Sequence, residues 1–265
     1  MRIANIAPAQ AVRQVIDPYE TYHLVLADLI LQYGSYREFY IERLERGDFV
    51  TMDVMSFERP KGTRLDAVVA AAHTLGPTEI VLPDVRFDWW KTIKQAEEAS
   101  KVLVDEGFCN FMAVPQGKDW GQYSKCAVNL MRIPGVKTLG IIEETEEWSS
   151  LGRIQIVRSV IREIEANVGV SPRIHLLGMC ENMKDLMHGE TRALVRGVDS
   201  AKLIVWGMDD ISVSTDLAPD SYPGRPSGYL HKQSVPNEEA VLGNIRRWRN
   251  YVEADVSGTV EGVSG

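Results

Sequence analysis

Short apolar, β-branched runs recur along the chain with segments of helical spacing between them, and that alternation limits the folds open to it. The runs are Phe49 to Met52, Glu79 to Leu82, Asn110 to Val114, Val136 to Ile142, Arg173 to Leu177 and Leu203 to Trp206, with a first strand near Arg2 to Ile6. Helical periodicity covers Leu65 to Leu75, Trp89 to Glu106, Gln122 to Arg132 and Trp148 to Asn167. Early helices are expected over Glu20 to Leu31 and Tyr36 to Arg46. Gly and Pro punctuate the returns, as in Leu75-Gly76-Pro77 and Ile133-Pro134-Gly135. Strand and helix in strict alternation imply a parallel sheet covered by helices, either closed as a (β/α)8 barrel or open and doubly wound. The polar residue or turn after each strand falls at Asp53, Asp84, Gln116, Glu143 and Gly178, at spacings of 31, 32, 27 and 35 residues. No Gly-rich dinucleotide or Walker-type turn follows any strand. A barrel that gathers polar groups at one mouth fits better than a sheet with a single switch point. The expected fold is therefore α/β, a TIM-like barrel formed by residues 1–256 as one domain, with a flexible Ser/Gly/Val-rich tail over 257–265. An eighth strand is not evident after Gly207.

Composition removes several functional classes. The chain has 265 residues, with 29 Lys and Arg against 37 Asp and Glu, a formal charge of −8. An acidic balance disfavours nonspecific coating of nucleic acid, which needs phosphate neutralisation. Nucleic-acid contact would need a local basic groove, for which Arg59, Lys61, Arg64 and the Arg246, Arg247, Arg249 cluster of NIRRWRNY are the candidates, against a solvated helix face. No run approaches a membrane span and the first residues lack a secretory apolar region, so a cytoplasmic protein with no membrane partner is expected. Cys109, Cys126 and Cys180 are far apart, which argues for reduced, mostly buried thiols and against a Cys-rich zinc site.

Asp53 closes the run FVTMD, where a carboxylate at a barrel mouth can act as nucleophile or base, or merely form a turn. Asp84 holds the same place one unit later, with Asp88 the better cap for the helix that begins at Trp89. Gln116 offers a donor and an acceptor just before Gly117, which lets a ligand approach the backbone. Together Asp84 and Gln116 complement a guanine-like edge, and Phe57 is placed to stack on a flat base or to pack in the core.

In order and spacing, TMDVMSFE at Asp53, LPDV at Asp84, AVPQG at Gln116, LGIIEE at Gly140, IHLLGM at Gly178, RGVDS at Asp199 and YPGRPSGYL at Tyr222 form a set. With these motifs the chain resembles the tRNA-guanine transglycosylase superfamily over roughly Tyr19 to Tyr229, and within it the phage-type relatives that place 7-deazaguanine bases in DNA. The resemblance implies Asp199 as the nucleophile that takes C1′ of the sugar and Asp53 as its partner carboxylate. It implies base contacts from Phe57, Asp84, Gln116 and Gly117, from the backbone of Gly140 and Ile141, and from Leu177 and Gly178. It further implies DNA and a 7-deazaguanine such as preQ0 as partners, and it allows a homodimer.

The superfamily's tRNA-acting members carry a Cys/His zinc cluster near the C-terminus, and this chain has no cysteine after Cys180, so no cofactor is expected and zinc least of all. Val54, Met55 and Ser56 stand where glycines usually follow the first aspartate. If Asp199 lay where a strand begins, Asp209 or Asp210 would be the alternative nucleophile. His23 and His175 read as structural histidines, and Glu143, Glu144, Glu146 and Glu147 as an acidic run that suits a helix start. Trp89, Trp90 and Trp120 either pack the rim or stack on bases, and Arg225 is a candidate phosphate clamp. A tRNA transglycosylase and a non-catalytic purine-binding barrel are the alternatives.

Overall fold

The computed structural model describes residues 1–54, 64–148, 153–179, 189–213 and 225–254. Eight strands, β1 (Arg2–Asn5), β2 (Tyr22–Leu26), β3 (Phe49–Asp53), β4 (Glu79–Val81), β5 (Phe111–Ala113), β6 (Val136–Ile142), β7 (Arg173–Leu177) and β8 (Gly197–Ser200), run in one parallel ladder. The ladder order is β1-β8-β7-β6-β5-β4-β3-β2, and β1 packs beside β2, so the sheet curls into a nearly closed (β/α)8 barrel. Around it lie α1 (Val12–Val15), α2 (Ala27–Gln32), α3 (Gly34–Glu45), α4 (Leu65–Leu75), α5 (Trp89–Asp105), α6 (Trp120–Leu130) and α7 (Arg153–Val168). The circuit ends with α8 (Gly189–Leu194), α9 (Lys202–Met208) and α10 (Glu238–Ala254).

Local chemistry sets the helix ends, at Asp88 as the sequence implied. Asp88 accepts from the Lys91 N–H at 3.0 Å and Asp119 from the Gln122 N–H at 2.9 Å, so α5 and α6 both start on an aspartate cap. Gly76 ends α4 in the left-handed conformation that an L side chain resists.

Two sequence assignments are corrected. The span Glu20 to Leu31, expected as one helix, is the strand β2 followed by the short helix α2. All five residues of β2 are buried, and a strand covered on both faces reads as an unbroken apolar run that periodicity cannot separate from a buried helix. The reverse error falls on Leu203 to Trp206, which lies in helix α9, buried from Leu203 to Met208, rather than in a strand. The eighth strand is instead Gly197–Ser200, immediately before that helix.

The main apolar core fills the layer between strands and helices, and a second cluster of Val81, Met112 and Val114 lies within the ring beside Ile142 and Leu177. Below it the interior is polar. Glu79 of β4 accepts from both terminal nitrogens of Arg196 at 2.9 and 2.6 Å, from Thr138 of β6 at 2.7 Å and from Thr51 of β3 at 3.3 Å. Contacts that skip strands in this way can only cross the interior, and they fix Thr51, Glu79 and Thr138 as inward-facing. Strand alternation then carries Asp53, Val81, Gly140 and Ile142 inward as well.

Candidate active site

Asp199 is the third residue of β8, next to Ala4 of β1 in the ladder, and its carboxylate is almost covered. Oδ1 lies 3.0 Å from Nε2 of His175, two residues before the end of β7, and accepts the Gly178 N–H at 3.3 Å from the turn just beyond it. Gly178 holds φ near +70°, so the turn that aims this N–H needs a glycine. Asp199 therefore faces the end of the barrel where strands finish, the functional face of this architecture. Oδ2 has no hydrogen-bond partner among the described residues.

Asp53 ends β3 on the same inward face as Thr51 and is half-buried. On the neighbouring loops, Gln116 donates from its amide nitrogen to Asp84 Oδ2 at 2.7 Å and accepts the Phe87 N–H on its carbonyl at 3.1 Å. The structure thus brings Asp84 and Gln116 together, though not as two independent readers. The buried Gln116 commits one carbonyl lone pair and one amide N–H within the protein, and it orients Asp84. Phe87 is held at φ +60° beside them, a conformation that non-glycine residues rarely adopt, with its ring partly exposed under the Arg86 guanidinium. Gly117 is required by packing, since a Cβ there would fall 2.6 Å from the Tyr123 nitrogen.

On the other side of the mouth, Gly140 makes room for Leu177, whose Cδ1 would lie 2.7 Å from an added Cβ. The carbonyls of Ile141, Leu177 and Gly178 all accept from the fully buried Arg153 at 3.2, 2.9 and 2.7 Å. Ile141 is therefore engaged in fastening β6 to β7 through its carbonyl. Glu143 follows β6, and burial raises its pKa while Lys202, from the start of α9, donates to it at 3.2 Å and also to the Met179 carbonyl.

Phe57, Arg59 and Lys61 lie outside the described residues. Arg64 forms an exposed two-toothed pair with Asp66. Arg225 is exposed and its charge acts on the buried Tyr229, whose hydroxyl donates to the Ile6 carbonyl just beyond β1. The α10 arginines are not brought to the mouth. Arg246 and Arg249 pair with Asp17 at 2.7 and 2.8 Å, and Asp17 sits before β2, where Arg43 from α3 also donates to Pro18 and Glu20 carbonyls. This is the end at which strands begin. Arg247 donates to Ser212 and to the Val213 carbonyl. Asp209 and Asp210 are exposed at the far end of α9, away from the strand ends, so Asp199 holds the mouth position alone of the three.

The parts that His175 and Arg153 play in the site are not visible in the sequence. His175 looked structural because it lies inside an apolar strand, and only the ladder register shows that it shares the interior with Asp199. Arg153 carries no motif; its signal was a cation at the start of an amphipathic helix, where nothing indicated burial. Cys126 is buried and accepts the Gln116 N–H, and burial pushes its thiol up to about 12, whereas Cys109 is exposed, contrary to the expectation of mostly buried cysteines. Cys180 lies outside the described residues. Among the described residues no helix is long and apolar enough to cross a membrane, and no three His, Cys, Asp or Glu residues converge to hold a metal ion.

No family model matches the chain, and no curated protein matches it in sequence. Its fold is similar to that of the YdjI aldolase from Escherichia coli K12, with a TM-score of 0.58 over 97% of this chain and 92% of that one, at 14% identity. A likeness at that identity carries the barrel architecture and nothing about the chemistry.

Proposed function

We propose that this protein is a transglycosylase that removes guanine from DNA and installs a 7-deazaguanine base such as preQ0. The observation that carries the reading is Asp199, set inward at the end of β8, with Oδ1 held by two nitrogen contacts and Oδ2 unpartnered among the described residues. A carboxylate held this way suits attack on an anomeric carbon, where the transition state is oxocarbenium-like and a nearby anion both stabilises and captures it. The motif resemblance supplies the substrate class.

In the proposed double displacement, Asp199 Oδ2 attacks C1′ and the C1′–N9 bond breaks, its electron pair leaving with guanine, which takes a proton from Asp53. The incoming base then loses its N9 proton to Asp53 and attacks C1′, which releases Asp199. Asp84, oriented by Gln116, accepts from N–H groups on the base edge, and the remaining Gln116 N–H serves a carbonyl. The target base must leave its stack to reach the mouth, since the reacting groups lie at the ends of the strands. With a formal charge of −8, the strand is held by local cations on the mouth side, Arg225 among them, rather than by overall attraction.

Base exchange tests the reading. Matched DNA and tRNA substrates carrying labelled guanine are incubated with preQ0 and with wild type, Asp53→Ala or Asp199→Ala. Label released from DNA alone, and lost in both variants, is the expected result. Release from tRNA alone would transfer the activity to the other nucleic acid. Saturable preQ0 binding without release from either would make the protein a binding barrel.

A further inference from the structure

Behind Asp199 the polar interior forms a directed line of hydrogen bonds. Tyr22 Oη, from β2, lies 2.7 Å from Nδ1 of His175 on β7, and Arg196 Nε lies 3.1 Å from the same Tyr22 oxygen. Arg196 is itself fixed by its two bonds to the fully buried Glu79 and a third, at 3.1 Å, to Thr138. Each link has only one direction open to it. A guanidinium donates and never accepts, so Tyr22 receives the Arg196 Nε–H on an oxygen lone pair. Burial pushes the Tyr22 phenol up to about 12, so it keeps its own proton, and that proton points to the remaining contact, His175 Nδ1. An Nδ1 that accepts leaves the ring proton on Nε2, where it faces Asp199 Oδ1 at 3.0 Å.

Packing keeps the line in place. His175 is fully buried, and Tyr22 stacks on Phe49 at 5.6 Å between ring centroids. Gly197 gives the Tyr22 ring its room, because a Cβ there would fall 2.4 Å from the ring.

We propose that Arg196, Tyr22 and His175 form a donor chain that fixes His175 as its Nε2–H tautomer, so that Asp199 is pinned through Oδ1 and presents Oδ2 as the reacting oxygen. His175 is a positioning residue in this scheme, and the role rests on the reading of Asp199 as the nucleophile. The tautomer, by contrast, follows from the hydrogen bonds alone and is measurable without any turnover.

Two measurements are made on the full chain. The first is the pattern of long-range couplings to imidazole nitrogens in ¹⁵N-labelled protein; the chain has five histidines, and His175→Gln identifies the resonance. A protonated Nε2 and an unprotonated Nδ1 are expected in wild type, with the pattern lost or mixed in Tyr22→Phe, which keeps the ring and its packing. A proton on Nδ1 in wild type would overturn the donor chain whatever the activity. The second is steady-state base exchange with His175→Leu and His175→Gln. Loss of a group that orients a nucleophile is worth about 100-fold in rate, so His175→Leu is expected to lower kcat about that much with KM nearly unchanged. His175→Gln, which can set an amide N–H near the position of Nε2, is expected to recover about tenfold of it. A wild-type kcat in a folded His175→Leu protein, or equal losses in the Leu and Gln variants, would overturn the positioning role. No exchange by wild type on either nucleic acid would overturn the reading of Asp199 instead, and the nitrogen couplings separate that failure from a failure of the chain.

Discussion

The buried pair beneath the site makes a quantitative test of how the barrel interior is held. Glu79 is fully buried and accepts four hydrogen bonds, two of them from Arg196, whose side chain is 11% exposed. Burial alone would lower the Arg196 pKa, yet the interactions with Glu79 and Tyr22 together outweigh it and the pKa lies above its ordinary value. Arg196→Met removes the cation and leaves a carboxylate in the interior with only the two threonine hydroxyls. Breaking a buried pair in this way costs about 3–5 kcal/mol, which for a chain of this size lowers Tm by roughly 6–20 °C. Arg64→Met, which breaks an ion pair whose side chains are 85% and 65% exposed, serves as the control and should leave the urea midpoint nearly unchanged. The double change Glu79→Leu with Arg196→Met should restore most of the loss, because the stranded charge is gone. Urea unfolding read as midpoint and slope separates these cases. An Arg196→Met protein within about 1 kcal/mol of wild type at unchanged slope, or a double variant no more stable than the single, would refute the reasoning.

Gly197→Ala should destabilise the protein by about 1–3 kcal/mol through overpacking, because its Cβ would collide with the Tyr22 ring; unchanged urea midpoints would show that the ring moves aside freely. Stability against pH should carry two opposing slopes. Burial raises Glu20 to about 7, so the folded state keeps a proton that the unfolded chain has released; that stabilisation is full below about 4.5 and is lost as pH rises to about 7. Burial holds His23 well below its ordinary 6.5, so its contribution is full above that pH and is lost as pH falls. Urea unfolding between pH 4.5 and 6.5 should therefore show stability rising with pH in Glu20→Gln and falling in His23→Gln, and identical slopes in both variants would contradict the assignment.

Much of the scaffold was legible because its helices are amphipathic and its turns carry Gly, Pro and Asp at demanding positions. α4 runs over the residues that periodicity marked, and Asp88 caps α5 as its place before Trp89 implied. Legibility ended where burial became complete: YHLVL and LIVWG have no solvent-facing side, so their periodicity could not tell strand from helix. In the candidate site, Asp84 and Gln116 are joined by a hydrogen bond, yet the sharing of their donors and acceptors depends on Phe87, whose left-handed backbone no motif announced. His175 and Tyr22 lie 153 positions apart and meet only through closure of the barrel. The α10 arginines look alike in sequence as a nucleic-acid groove or as an anchor, and only the fold brings Arg246 and Arg249 to Asp17, more than 200 positions away.

The most direct test of Asp199 as nucleophile is capture of the covalent intermediate. Wild type is mixed with guanine-containing DNA without an incoming base, denatured, digested and mapped by mass spectrometry. The expected product is a DNA-derived sugar on the peptide that contains Asp199, absent in Asp199→Asn and discharged when preQ0 is added before denaturation. A sugar adduct on Asp53 or on another carboxylate, or base exchange that persists undiminished in Asp199→Asn, would contradict the account.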